Sequence, residues 1–94
     1  MTVEWLAEAL INLADILDAV SEESPQGAAS LSAAIQSRTA RLETNPKLYK
    51  AGRVRGTREC IVTENYLLVY RIAGDTVQIM RVLHARQQWP TSNG

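Results

Sequence analysis

The stretch that decides the fold is YLLVYRIAGDTVQIMRVLHARQQWP, at residues 66–90. Two apolar runs flank Ala73-Gly74-Asp75, a three-residue turn with glycine in the middle, and this arrangement predicts an antiparallel β-hairpin. The second run ends in a polar and aromatic cluster that begins at His84 and stops at Pro90. Polar groups at a strand end are often functional, because the scaffold holds them rigidly. We therefore expect this hairpin to carry the function.

Two helices are predicted ahead of the hairpin. Apolar residues at three- or four-residue spacing indicate the first, which ends near Ser21. These apolar positions are Leu6, Leu10, Leu13, Ile16, Leu17 and Val20. The second helix begins at Ser24-Pro25, where serine can cap it, and runs to about Glu43 before Asn45-Pro46 stops it. The short linker between them predicts an antiparallel helical hairpin that needs a sheet to cover its apolar side.

Three strands are predicted in the second half, at residues 57–63, 66–72 and 76–84, after a basic loop at residues 47–56. Arg81 interrupts the alternation of the last strand, so a twist or bulge is expected there. Residues 2–5 can add a short edge strand. The order β-α-α-β-β-β predicts an α+β fold, in which an N-terminal helical hairpin packs on a small twisted antiparallel β-sheet. Residues 1–94 are predicted to form a single domain.

Composition narrows the functional classes. A hydrophobic content of 46% suits a folded domain rather than a disordered chain. No apolar run approaches the ~18 residues of a transmembrane helix, and the acidic N-terminus does not resemble a signal peptide. A cytoplasmic protein that does not enter the membrane is therefore expected. One cysteine and one histidine are too few for a disulfide or a structural zinc site, so neither a metal nor a cofactor is expected.

The formal net charge of zero hides an uneven distribution. Residues 1–46 hold two basic and seven acidic residues, whereas residues 47–94 hold eight basic and three acidic residues. This asymmetry indicates that the second half meets an anionic partner. The alternative is that the two halves simply attract each other when the chain folds.

No common catalytic motif is present, which leaves basic and polar groups on the predicted sheet and its border. These groups are Arg53, Arg55, Arg58, Arg71, Arg81, His84 and Arg86. Arginine binds phosphate oxygens, and histidine can act as a general acid or base, so the set could cleave RNA or merely bind an anionic surface. Each group also has a structural interpretation. Arg71 and Arg81 could pair with Glu59, Glu64 or Asp75, and Trp89 could cap the core.

Three segments carry a resemblance to a known family: RVRGTRE at residues 53–59, YLLVYRI at 66–72 and RVLHARQQWP at 81–90. With VEWL near the start and NPKLY after the second helix, they resemble the RelE/ParE superfamily of bacterial type II toxin–antitoxin modules. The resemblance spans residues 2–90. It implies two helices on a twisted antiparallel sheet, and a cognate antitoxin whose C-terminal segment wraps and neutralises the toxin.

The resemblance also implies two possible targets. RelE-like members cleave mRNA in the ribosome with basic residues, whereas ParE-like members act on DNA gyrase and lack that set. Here Leu67 stands where a RelE-like catalytic arginine is expected, and Cys60 stands at one of two expected lysine positions, with Arg58 at the other. The ParE-like interpretation is therefore favoured: a non-enzymatic toxin that inhibits growth by binding a macromolecular target, with gyrase as one candidate.

The alternative function is a ribosome-dependent mRNA endoribonuclease, with Arg58, Arg81, His84 and Arg86 as its candidate catalytic residues. A third possibility is a non-toxic family member that still binds its antitoxin. The candidate antitoxin- or target-binding residues are Arg53, Arg55, Arg58, Tyr70, Arg86 and Trp89. For the antitoxin we expect an extended or helical segment in the groove between helices and sheet, with acidic residues that meet Arg53, Arg55 or Arg58.

Overall fold

The structure, a computed structural model, describes residues 1–90. The predicted domain also includes residues 91–94, which lie outside the described part. The elements follow in the order β-α-α-β-β-β-β, which confirms the predicted α+β class. They are β1 (Thr2–Trp5), α1 (Ala7–Glu23), α2 (Pro25–Thr44), β2 (Lys50–Ala51), β3 (Arg58–Ile61), β4 (Tyr66–Ala73) and β5 (Thr76–His84).

The five strands form one sheet in the order β1-β5-β4-β3-β2. Three of the four pairings are antiparallel, but β1 runs parallel to β5, from Thr2 beside Thr76 to Trp5 beside Ile79. The predicted antiparallel sheet is confirmed for β2 to β5, and β1 adds one parallel pairing at the edge, because the two helices form a crossover that returns the chain to the sheet. The short strand β2 was also missed, since its two residues lie inside the predicted basic loop.

The predicted hairpin is confirmed, with a tighter turn than expected. Ala73 pairs with Thr76, so only Gly74 and Asp75 form the loop. Gly74 has a φ of 60°, and no non-glycine residue among the described ones has positive φ. This is the pattern of a type II′ turn, whose first central position favours glycine.

A β-bulge interrupts the hairpin beside Arg81, as expected. Val69 lies opposite Arg81 and Tyr70 opposite Ile79, which leaves Met80 as the extra residue on β5. The insertion shifts the alternation of β5 by one residue. Residues on both sides of the bulge can therefore point towards the helices.

The main core lies between the helical hairpin and one face of the sheet, which we call the helix face. Leu31, Ile35 and Leu42 of α2 pack there with Leu68 and Tyr70 of β4, all of them buried. The Ser24 hydroxyl accepts a hydrogen bond from the Gly27 amide at 2.9 Å, which confirms the predicted cap of α2. Neither α1 nor α2 is both long and apolar enough to cross a membrane.

The predicted apolar stripe of α1 is wrong at one position. Leu10 is 51% exposed, whereas its neighbour Ala9 is fully buried. The buried side of α1 is centred on Ala9, with Leu13 and Ile16 packed against the core. The small side chain of Ala9 suits this position because α1 lies close to both α2 and β5.

Candidate functional site

The opposite face of the sheet, which we call the outer face, carries a second and smaller apolar cluster. Leu67, Val69 and Leu83 are buried there under the partly buried Trp89. The Arg81 guanidinium lies 5.3 Å from the centre of the Trp89 ring, within the range of a cation–π contact. The indole N–H of Trp89 is buried without a hydrogen-bond partner among the described residues. Trp89 therefore caps the hairpin, in agreement with its structural interpretation.

Arg81 and Arg71 do not pair with Glu59, Glu64 or Asp75, the carboxylates suggested by the sequence. The Nη1 atom of Arg81 donates a hydrogen bond to the Glu8 carboxylate on α1 at 3.1 Å. Arg71 donates to the side-chain oxygen of Gln78 at 2.6 Å, and Gln78 in turn donates to Glu4 at 2.8 Å. These partners come from β1, α1 and β5, because the parallel pairing of β1 brings the start of the chain beside β5.

His84 organises the turn that follows β5. Its Nδ1 accepts a hydrogen bond from the Arg86 amide at 3.1 Å, and its carbonyl accepts one from the Gln87 amide at 2.9 Å. Its ring stands edge-on against Tyr66, with 5.3 Å between the ring centres. These contacts give His84 a structural role, while the Arg86 side chain next to it is exposed.

Arg53 is held by Glu59, which is almost completely buried. The Arg53 Nε and amide donate to one Glu59 oxygen at 3.0 and 2.9 Å, and an Nη donates to the other at 3.3 Å. Burial alone would raise the pKa of Glu59, but the hydrogen bonds from Arg53 and the charges of Arg53 and Lys50 outweigh it and lower this pKa. Arg53 therefore anchors the loop before β3.

Two other predicted binding residues also support this loop. Arg58 donates to the carbonyl of Tyr49 at 2.8 Å and to that of Lys47 at 3.4 Å. Tyr70 is fully buried, and its hydroxyl donates to the carbonyl of Pro46. Burial raises the pKa of Tyr70 to about 12. Among the predicted binding residues, Arg53, Arg55 and Arg86 are exposed.

The four candidate catalytic residues are not brought together. Arg58 lies opposite Tyr70 and His84 opposite Tyr66, both on the helix face, whereas Arg81 lies opposite Val69 on the outer face. Arg86 follows the end of β5. Strand neighbours directly opposite each other point to the same side of a sheet, so the sheet itself separates Arg58 from Arg81.

The two substituted positions noted from the sequence are also inside the protein. Leu67 belongs to the outer-face cluster, and Cys60 is buried in the main core. Burial raises the pKa of the Cys60 thiol despite the nearby charges of Arg38 and Arg41. Cys60 is therefore neutral and shielded at neutral pH, and Leu67 has no polar group to offer. Within residues 1–90, no cluster of three or more His, Cys, Asp or Glu side chains could hold a metal ion.

A groove between helix and sheet lies at the open edge of the sheet, and its lining residues were not predicted from the sequence. Leu48 is 61% exposed and Ile61 is 56% exposed. They line a cleft of about 460 Å³ between α2 and β3. We call this surface the edge groove, and its lining residues are Arg38, Arg41, Leu48, Tyr49, Lys50, Glu59 and Ile61. In the sequence Leu48 lies between Lys47 and Lys50, but Ile61 lies within a predicted strand, and only the fold brings α2 beside β3.

The backbone of the edge groove is partly open. The short strand β2 pairs only with Glu59 and Arg58, so it does not extend as far as Ile61. The Ile61 carbonyl points to the open side, where Arg38 Nε donates to it at 3.1 Å. A partner strand could add to this edge, as in β-augmentation.

The charge division of the chain survives folding. Within residues 1–90, ion pairs join only Arg53 to Glu59 and Arg81 to Glu8. Of these, only Arg81–Glu8 links the acidic first half to the basic second half. The alternative explanation, mutual attraction of the two halves, therefore has little support in direct contacts among residues 1–90.

Comparisons with known proteins agree with this fold. The family described as "ParE toxin of type II toxin-antitoxin system, parDE" matches residues 3–89. The candidate toxin Y4kP of Sinorhizobium fredii is 35% identical over 89 residues, which cover 94% of this chain and 92% of that protein.

Two solved structures share the architecture. A structure of the chromosomal ParDE toxin–antitoxin system from P. aeruginosa superimposes with a TM-score of 0.77 at 22% identity, over 89% of this chain and 95% of that one. The YoeB/ParE toxin from Agrobacterium tumefaciens gives a TM-score of 0.64 at 14% identity, over 89% of this chain and 98% of that one. The family match and the 35% identical relative together show that the chain belongs to the ParE toxin family of type II toxin–antitoxin systems.

Proposed function

We propose that this ParE-family chain inhibits growth by binding a macromolecular target, with DNA gyrase as the first candidate, and that it performs no chemistry of its own. The observation that carries the proposal is the separation of the basic groups that a ribonuclease would need. Arg58 lies on the helix face and Arg81 on the outer face, and each is engaged by other residues.

Cleavage of RNA by attack of a 2′-hydroxyl requires an acid, a base and a cation around one phosphate. Those groups must lie within a few ångströms of the reacting atoms, or the rate gain from positioning is lost. Arg58 donates to backbone carbonyls, and His84 Nδ1 accepts from the Arg86 amide. Leu67 adds only an aliphatic side chain at the position where the resemblance implies a catalytic arginine. Binding therefore explains this surface better than catalysis does.

A supercoiling assay tests the candidate target. Purified toxin is titrated into gyrase with relaxed plasmid and ATP, and loss of supercoiling is expected as the toxin concentration rises. Heat-denatured toxin serves as the control for non-specific inhibition. Full supercoiling at excess folded toxin would remove gyrase as the target.

We also propose that a cognate antitoxin neutralises the toxin by docking in the edge groove. A fold neighbour from a ParDE toxin–antitoxin system supports such a partner. Arg53 and Arg58 are already engaged by the loop, so the cations that remain for the antitoxin are Arg41 and Lys50, with Arg55 exposed beyond them. A segment that alternates aliphatic and acidic side chains would fill the groove and pair with these cations.

Binding measurements on purified toxin test this docking site. Ile61→Asp should weaken antitoxin binding at least about tenfold, because it replaces an aliphatic contact of the groove with a carboxylate that repels the acidic side chains of the antitoxin. Ile11→Asp on α1 is a matched control, since Ile11 and Ile61 are 53% and 56% exposed. Equal affinity of the Ile61→Asp variant and the wild type would reject the groove as the antitoxin site.

A further inference from the structure

Helix α1 has a second apolar stripe that faces solvent. Leu10 is 51% exposed and Ile11 is 53% exposed. Ala7 and Ala14 are exposed too and lie between them around the helix. We call these four residues the outer α1 face. Because the other side of α1 is packed against the core, the helix carries apolar residues on two sides, a pattern typical of a helix that is covered on both of them.

Carboxylates surround the outer α1 face. Asp15 and Asp18 are exposed on the same side of the helix and form no ion pair within residues 1–90. The chain has no lysine or arginine before Arg38. A nucleic acid would be repelled by these charges. Two copies of this chain docked face to face would also bring carboxylates together without compensating cations, which disfavours a symmetric dimer.

We propose that the outer α1 face docks a positively charged, aliphatic segment of the toxin's macromolecular target. The proposal rests on the proposed function, because it assigns the target to a surface of the toxin. Leu10 and Ile11 supply the apolar contact, and Asp15 and Asp18 pair with lysine or arginine of the target. The edge groove has the opposite charge, so the antitoxin and the target use different surfaces.

Two double variants test the outer α1 face in cells. Leu10→Ser with Ile11→Ser removes the apolar contact, and Asp15→Lys with Asp18→Lys reverses the charge. The control, Glu23→Lys with Glu43→Lys, makes the same change in net charge away from this face. Each toxin is expressed from a titratable promoter, and its level at half-maximal growth arrest is measured by immunoblot. Antitoxin affinity is measured on the purified proteins.

Both test variants should require at least about tenfold more toxin for growth arrest, while the control stays within about twofold of wild type. All three should bind antitoxin like the wild type, which also shows that they are folded. Unchanged toxicity of the two test variants would overturn the proposal. Loss of antitoxin affinity in folded test variants would overturn it as well, because the face would then belong to the antitoxin.

A direct binding measurement separates failure of this proposal from failure of the proposed function. The probes are a synthetic amphipathic helix of leucine and lysine and a matched helix of leucine and glutamate. The wild type should bind the lysine helix at least about tenfold more tightly than either test variant does. The glutamate helix should bind the wild type weakly and gain affinity only for the Asp15→Lys with Asp18→Lys variant, whose charge is reversed. If the wild-type toxin does not arrest growth, the proposed function fails, and the docking proposal is then decided by the lysine helix alone. Equal affinity of the lysine helix for the wild type and the test variants would overturn the docking proposal.

Discussion

The hairpin of β4 and β5 is apolar on both faces, but the two faces are covered very differently. On the helix face, Leu68 and Tyr70 lie beneath two helices. On the outer face, Leu67 and Val69 lie beneath the side chain of Trp89. The contribution of a buried apolar strand residue to stability should therefore depend on the elements that pack over it. The helix face holds the main core, whereas the outer face holds a smaller apolar cluster beside Arg81 and Glu59.

The same substitution at adjacent positions gives the largest expected contrast. Leu68→Ala should lower the free energy of unfolding by about 2–5 kcal/mol, because it leaves a cavity in the main core. Leu67→Ala should cost only about 1–2 kcal/mol, because Trp89 can settle into the smaller cluster. Urea unfolding of both variants measures the difference. Equal costs would mean that the two faces are packed equally well.

Removal of the Trp89 cap should have the next largest effect. Trp89→Ala should lower the free energy of unfolding by about 1–2 kcal/mol, less than for a fully buried tryptophan, because Trp89 is only partly buried. Trp89→Phe keeps most of the ring contact and removes an N–H that has no partner, so it should cost under about 1 kcal/mol. A phenylalanine variant as unstable as the alanine variant would show that the indole N–H does have a partner.

Acid should weaken the outer face through Glu59, which lies opposite Val69 there. Its folded-state pKa is lowered from the ordinary 4.5, so its stabilisation is present above that pH and is lost as the pH falls through the folded-state value. Thermal unfolding from neutral to acidic pH should show a loss of about 1 kcal/mol from this pair. Glu59→Gln should remove that part of the acid dependence. An identical pH profile in the variant would rule out Glu59 as its source.

The smallest expected effect is chemical rather than energetic, and it tests how tightly the helix face is closed. Cys60 is fully buried there, and burial raises the pKa of its thiol. A thiol reagent in mildly alkaline buffer should label Cys60 very slowly in the native protein and rapidly in denaturant. Leu68→Ala should accelerate native labelling more than Leu67→Ala does. Fast labelling of the native wild type would show that the helix face opens readily.

The sequence was sufficient for the elements with strong local signals. Ser24-Pro25 predicted the start of α2 because the cap is local, and the Gly74 turn predicted the hairpin. Arg81 predicted the bulge because a charged side chain broke a regular alternation. The solvent-facing position of Leu10 could not be foreseen in the same way, because the rotation of α1 depends on its contacts with α2 and β5.

The candidate site depended even more on tertiary contacts. Arg53 and Arg58 look like free binding residues in the sequence, but Glu59 and the carbonyl of Tyr49 bind them in the folded loop. The edge groove joins Arg41 of α2 to Ile61 of β3, a pairing that no local pattern indicates. Local patterns predicted the scaffold, and long-range contacts decided which of its charges remain for a partner.

The central claim is that the toxin binds its target and does not cut RNA. The most direct test maps the 5′ ends of cellular mRNA after the toxin has been induced without antitoxin and growth has stopped. An induced empty vector provides the background. We expect growth arrest with the same mRNA ends as in the control. New ends at fixed positions within translated codons would contradict the claim and establish a ribosome-dependent ribonuclease instead.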